Sequence, residues 1–389
     1  MSRTPVHEED FVERVATFAR DAVAPGAAER DRAGAIPRPL WRALAATGLL
    51  RAMLPPEDEG LGQPMRAVSA ALEALAREGH DPALSIALLP GFTLAQFHLP
   101  RLCAPQQKAR WLPGIVSGER LAALAFSELP HGANPKHLEA TARREGGDWV
   151  IDGRKAFVTN GPEADLFVVL AITSREGDRK RFTAFLVERG AAGLTVEERM
   201  PIPFVLAAPH CTLRLAGCRV PDNARLGPIG DALAELSGAT RTAEDLVGAA
   251  SLAGHAAWVV SLAAAHRAKD VAGSPELAEA LGDLRVAAET LRLRARGLAE
   301  FWDRGDRGDV VKGSPSPDEE SFTSLLLAGR GLAERFAERL SALLEGAPPG
   351  TGSDLERAVR DLEVAKIGGA ATRARIRRLG RYLAAQTAP

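Results

Sequence analysis

The chain is poor in the residues that build several common kinds of site. Cysteine occurs three times in 389 residues, at Cys103, Cys211 and Cys218. Three thiols cannot form a disulfide framework, and their spacing matches no zinc pattern, so a reduced, cytoplasmic compartment is expected. Tyrosine occurs once and aromatics make up 5%, too few for base-stacking platforms. Neither sign of charge is in excess: 49 basic residues face 50 acidic ones. That removes the electrostatic case for a nucleic-acid or anionic-membrane surface. No G-x-G-x-x-G opens a helix, and G-x-x-x-x-G-K-[ST], H-E-x-x-H and G-x-S-x-G do not occur. Of the eight histidines only His131 and His137 lie close together in a polar stretch. They have no cysteine or carboxylate cluster beside them, so no metal site is expected. The first residues, MSRTPVHEEDFVERV, are charged and lack an apolar core, so no signal peptide is expected.

What the chain does have is a change of periodicity along its length. Up to about residue 118, helical spacing runs through EEDFVERVATFARDAVAPGAAERD, PRPLWRALAATGLLRAML and RAVSAALEALAREG, punctuated by Pro and Gly. PQQKARWLPGIVSGE reads as a short helix and a turn. From about 120 to 228, RLAALAFSE, HLEATARRE, DWVIDGRKAFVTNG, ADLFVVLAI, RFTAFLVERG, LTVEERM and CTLRLAGCRVP read as strands between Gly-Gly, Asp-Gly and Pro turns. Strands that follow one another without helices predict a predominantly antiparallel barrel or sandwich. Helical spacing returns from about 230, interrupted by polar loops at GSPSPDEES (313–321) and EGAPPGTGSD (345–354). The expectation is an α+β protein with a helical domain over 1–119, a middle β domain over 120–229 and a C-terminal four-helix-bundle-type domain over 230–389.

Two helical stretches raise questions. LVGAASLAGHAAWVVSLAAAH (246–266) contains no Asp, Glu, Lys or Arg and is long enough to cross a membrane. Its Ala, Gly, Ser251, Ser261 and His255 suit close helix packing, and a buried bundle helix is expected instead of a membrane span. SDLERAVRDLEVAKI has a capping-box signature in Ser353 and Glu356, with Leu355, Val359, Leu362 and Ile367 at helical spacing. Gly368 and Gly369 follow, each costing roughly 1 kcal/mol relative to alanine in a helix.

Two stretches of the β block stand out together, LAFSELPHGAN (124–134) and DGRKAFVTNG (152–161). Each sets a hydroxyl, Ser127 or Thr159, at the end of an apolar strand. Taken singly, each reads as turn chemistry. Together with PEDEGLG (56–62), QQKARWLPGIVSGE (106–119), AFSE, IDGRKAFVTNG, CRVPDNARLG and RAVRDLEVAKI, they make the chain resemble the FAD-dependent acyl-CoA dehydrogenase family along nearly its whole length. The resemblance implies that Ser127 and Thr159 hydrogen-bond the flavin ring as neutral donors, with Phe126 and Phe157 close to it. It implies removal of an α-proton from an acyl thioester and transfer of the β-hydride to flavin, with an electron-transfer flavoprotein-type acceptor.

The family's usual base, a Glu eight residues after Arg-Asp, is absent: Arg360-Asp361 leads to Gly369. The isovaleryl type carries its Glu on an earlier helix. EDLVGAASLAG (244–254) sets Glu244 in that position, with Asp245 where an Arg normally follows. The bland alternative is an acidic pair at a helix start, favoured by the macrodipole. The pantetheine-contacting Gly-x-Gly-Ser-Asp reads HGANP, with Ala133 and Asn134 in place of Ser and Asp, which leaves CoA or a carrier-bound acyl thioester as substrate. Of the arms that reach a neighbouring subunit's FAD, one keeps only Arg267, and the other reads LLEGAPPGTG, with prolines where N–H donors belong. This pattern fits one chain of a hetero-oligomer, a homo-oligomer with weakened sites, or a non-redox relative.

Overall fold

The computed structural model describes residues 6–305, 317–366, 373, 376, 377, 379 and 381. Contacts group the chain into two compact units that interleave in sequence. One comprises 29–62 and 86–244; the other comprises 1–28, 63–85 and 245–389.

The first unit holds the sheet. Its strands are β1 (Ala122–Ala125), β2 (Thr141–Glu145), β3 (Asp148–Thr159), β4 (Leu166–Glu176), β5 (Arg179–Glu188), β6 (Leu194–Arg199), β7 (His210–Pro221) and β8 (Arg225–Leu226). The order is β6-β7-β3-β2-β4-β5-β8, with β1 also on β4. Most pairs are antiparallel as expected; β1 and β2 meet β4 in parallel. Strand β4 reads as an unbroken apolar run because both its faces are covered. Leu166, Val168, Leu170 and Ile172 pack with Leu94, Leu99, Trp111, Leu112 and Ile115 on one side. Phe167, Val169 and Ala171 pack with Trp149, Ile151, Phe185 and Leu213 on the other.

In chain order the helices are α1 (Glu8–Phe18), α2 (Ala27–Ala33), α3 (Arg38–Ala46), α4 (Met65–Gly79), α5 (Pro82–Thr93), α6 (Leu99–Leu102), α7 (Pro105–Val116), α8 (Ala232–Gly273), α9 (Pro275–Asp303), α10 (Pro317–Leu343) and α11 (Asp354–Asp361). In the second unit, α9 buries Leu284, Ala288, Leu291, Ala295 and Leu298, one stripe at three- and four-residue steps. Its start is set by Ser274, whose hydroxyl accepts from Leu277 N, followed by Pro275 at the first helical position. The apolar stretch 246–266 lies within α8, whose most apolar window is 72% buried. Helix α10 begins at Pro317, inside the stretch read from sequence as a loop. Proline at the first position and the acidic residues after it suit a helix N-terminus, which composition alone does not separate from a polar loop. Ser353 caps α11 by accepting from Glu356 N, and Glu356 reaches back to Gly352 N, one residue before the capping-box position. The chain then tightens into a 3-10 turn over Leu362–Lys366. Gly368 and Gly369 lie outside the described residues.

Two glycines of α8 give opposite expectations. A Cβ on Gly254 would lie 2.1 Å from Glu73 O on α4, whereas one on Gly248 would meet nothing within 4 Å. Alanine at 248 should therefore stabilise by about 0.5–1 kcal/mol through helix propensity. Alanine at 254 should instead destabilise by about 3 kcal/mol through overpacking against backbone. Thermal midpoints of the two variants, moving in opposite directions, are the check.

Candidate functional site

The site grows from a bulge in β3. Lys155 pairs with Leu213 and Val158 with Cys211, so two residues, Ala156 and Phe157, stand opposite one residue of β7. A bulge re-aims the side chains beyond it and frees a backbone group from the ladder. Here Ala156 N is freed, and it donates to Ser127 O at 2.9 Å. That bond sets the stretch leaving β1 beside the bulge of β3, with Ser127 next to Ala156 and Phe157. Phe157 takes the left-handed conformation, with φ 56°, costly for a bulky residue and characteristic of functional positions. Phe157 is 41% exposed, and its N–H donates to Met200 Sδ. The strand is then pinned by Asn160, also left-handed. Asn160 N donates to Pro209 O, and its side-chain amide donates to Ala87 O. Gly161 is required beside it, because a Cβ there would sit 2.3 Å from Cys211 Sγ.

Beneath the site lies an ion pair that reading the sequence missed. Lys155 is buried, with Nζ 2.6 Å from Glu128 Oε1. Glu128 Oε2 accepts from Glu139 N at 2.7 Å, and Oε1 also accepts from Ala140 N at 3.1 Å. Burial pulls the Lys155 pKa down, and the Glu128 charge pulls it back up. The pair ties the residues on either side of Ser127 to β3. The available signal was a lysine beside the apolar run AFV of β3, which demands an acidic partner if buried.

Thr159 Oγ1 lies 2.9 Å from His210 Nε2 on β7, a second contact that sequence reading missed. Ser127 is half-buried, and its hydroxyl has no partner among the described residues. An unengaged hydroxyl, a presented aromatic face and a fixed threonine fit a planar hydrogen-bonding ring such as isoalloxazine.

The remaining expected residues fare differently. Ala133 and Asn134 are exposed. The Asn134 side chain accepts from Lys136 N, which builds a local turn. Glu244 lies roughly three turns into α8, which begins at Ala232. The helix-start reading is therefore corrected: the macrodipole stabilisation expected at a helix N-terminus does not apply this far into the helix. The Glu244 side chain is 43% exposed and stands 3.8 Å from Arg241. Asp245 has a protein partner: its charge supports Arg294, a buried guanidinium whose pKa desolvation lowers to about 10. Arg294 in turn donates to Leu325 O and Leu326 O. Arg267, expected on an arm serving a neighbour, is instead buried and pairs with Asp270 at 3.2 Å. His131 and His137 meet with ring centroids 4.1 Å apart and planes tilted by 33°, and among the described residues no group of three potential ligands gathers. A cavity of about 960 Å³ beside α7 and β7 contains none of the site residues. Its Arg110 and Arg225 already pair with Glu188 and Asp222.

Helices, then a mostly antiparallel sheet, then helices again, in that chain order, is the architecture of a flavoprotein dehydrogenase class. Residues 5–119 match the acyl-CoA dehydrogenase N-terminal domain, and residues 123–218 match the acyl-CoA dehydrogenase middle domain. The chain belongs to the acyl-CoA dehydrogenase family, which is FAD-dependent. It is 32% identical over 225 residues to a mitochondrial isovaleryl-CoA dehydrogenase of Solanum tuberosum, covering 57% of this chain and 54% of that one. Against cyclohex-1-ene-1-carbonyl-CoA dehydrogenase of Geobacter metallireducens, identity is 29% over 365 residues, covering 92% of each. The chain thus spans about half the length of several curated relatives it matches, and nearly all of this last one. The FAD complex of PigA shares the fold, with a TM-score of 0.84 at 22% identity over 98% of this chain and 99% of that one.

Proposed function

We propose that the chain catalyses FAD-dependent α,β-dehydrogenation of an acyl thioester. The observation that carries this reading is the Ala156–Ser127 hydrogen bond, which seats the two hydroxyl-bearing stretches side by side. Ser127 and Thr159 would hold the polar edge of the ring, and Phe126 and Phe157 its apolar face. Bound FAD would supply the acceptor for the hydride leaving the substrate's β-carbon. Glu244 would take the α-proton onto a carboxylate oxygen as the α C–H bond breaks, its electron pair forming the α,β double bond. Rigid sheet residues would orient the ring without reorganisation during the reaction. The acyl group would be carried on CoA or on a carrier protein, since Ala133 and Asn134 leave the pantetheine stretch altered. An electron-transfer flavoprotein-type acceptor would reoxidise the enzyme.

One observation favours a second reading. Arg267 is buried in its own chain and paired with Asp270, which supports an arm poorly placed to serve a neighbouring FAD. This fits a hetero-oligomer whose partner completes the site, or a non-redox subunit with an acyl-binding role.

Purification of the chain alone and with candidate partners, with FAD added, distinguishes these. Visible flavin absorbance retained through gel filtration, and bleached anaerobically by an acyl-CoA or acyl-carrier thioester, is the expected result. A colourless protein in every combination would establish the non-redox reading.

A further inference from the structure

The contacts of His210 fix where one hydrogen sits. Nδ1 is 2.8 Å from Ala208 O. A backbone carbonyl only accepts, so Nδ1 carries the ring hydrogen. Burial lowers the His210 pKa, with the Ala208 bond opposing it, and the imidazole is neutral at neutral pH. Nε2 is then bare and can only accept. The hydrogen in its 2.9 Å contact with Thr159 Oγ1 must therefore come from threonine. With that hydrogen committed, Thr159 has only lone pairs to offer the site.

We infer that His210 is a positioning residue that holds the Thr159 hydroxyl hydrogen and turns Thr159 from the expected donor into an acceptor. Ser127, whose hydroxyl has no partner among the described residues, can still donate. The two sides of the site then differ in polarity: Ser127 can give a hydrogen bond, and Thr159 can only receive one.

The functional consequence rests on the proposed flavin reading. A flavin gains ring N–H groups on reduction, so an acceptor at its edge favours the reduced form. Losing His210 frees the Thr159 hydrogen to rotate outward, where it favours the oxidised form. His210→Leu should lower the ratio of reduced to oxidised flavin at fixed potential by about tenfold. For a two-electron couple this is a fall of about 30 mV in midpoint potential. In a Thr159→Val background the same replacement should have no further effect, because the group it controls is gone.

The first measurement needs no flavin. In the full chain carrying isotope-labelled histidine, NMR should show His210 as the neutral Nδ1–H tautomer. Its Nε2 signal should shift in Thr159→Val, and His210→Gln identifies the resonance. An Nε2–H tautomer would overturn the inference whether or not flavin binds. A chain with the expected tautomer but no bound flavin would retain the positioning role and reject the flavin reading. Bound flavin with an unchanged potential in His210→Leu would overturn the acceptor role directly.

Discussion

Glu128→Gln should cost about 3–5 kcal/mol of stability, because it leaves the Lys155 ammonium buried without a counter-charge. Lys155 has no exposed side-chain surface, so it cannot recover water without opening the sheet. The reverse variant, Lys155→Met, should cost less. The Glu128 carboxylate would keep two backbone donors, Glu139 N and Ala140 N, and charged hydrogen bonds of that kind are worth about 1.5–3 kcal/mol each. The double variant Glu128→Gln with Lys155→Met should recover most of the loss, since a buried pair replaced on both sides is often near neutral. Urea midpoints of the three variants give the ordering. A double variant as unstable as Glu128→Gln would mean that backbone satisfaction by Glu128, and not the pair, holds this corner. Flavin retention should follow the same order, because the pair anchors the segment that carries Ser127.

The sheet was legible because its strands have two simple signatures. Alternation or an unbroken apolar run marked each of β1 to β7, and glycine or proline turns separated them. The parallel contacts of β1 and β2 with β4 were not legible, because pairing direction depends on which faces helices cover. The bulge at Ala156 and Phe157 was hidden for another reason. KAFVT keeps an apolar pattern with or without an extra residue, and only the partner strand reveals the two-to-one count. Glu244 shows a third kind of loss. ELSGATRTAED looks like a helix start because it has Ser, Gly and Thr before an acidic pair. Packing overrides that propensity. Leu236 and Ala243 are buried, Thr240 meets His98 at 2.9 Å, and Thr242 bonds back to Gly238 O, so the helix runs straight through. His210 left no trace in the sequence: a histidine opening an apolar strand reveals nothing of a threonine 51 residues away.

Glu244→Gln separates chemistry from structure more sharply than any other replacement at the proposed base. As a surface residue on α8, 43% exposed and 3.8 Å from Arg241, Glu244 should matter little to folding. Exposed helix pairs at three-residue spacing contribute about 0.2–0.5 kcal/mol, and surface substitutions usually stay within about 0.5 kcal/mol. As a base it should matter greatly. General-base catalysis contributes about 10²–10⁴-fold, and glutamine keeps the shape while removing the proton acceptor. The expected result is an unshifted thermal midpoint, unchanged flavin content and turnover reduced by roughly 10³-fold. Glu235, in the first turn of the same helix and paired with Arg101 at 3.6 Å, is the control: Glu235→Gln should leave turnover intact. Turnover within about twofold of the parent in Glu244→Gln would remove it from the mechanism and turn attention to residues beyond Lys366, where the family's more common base position falls on Gly369.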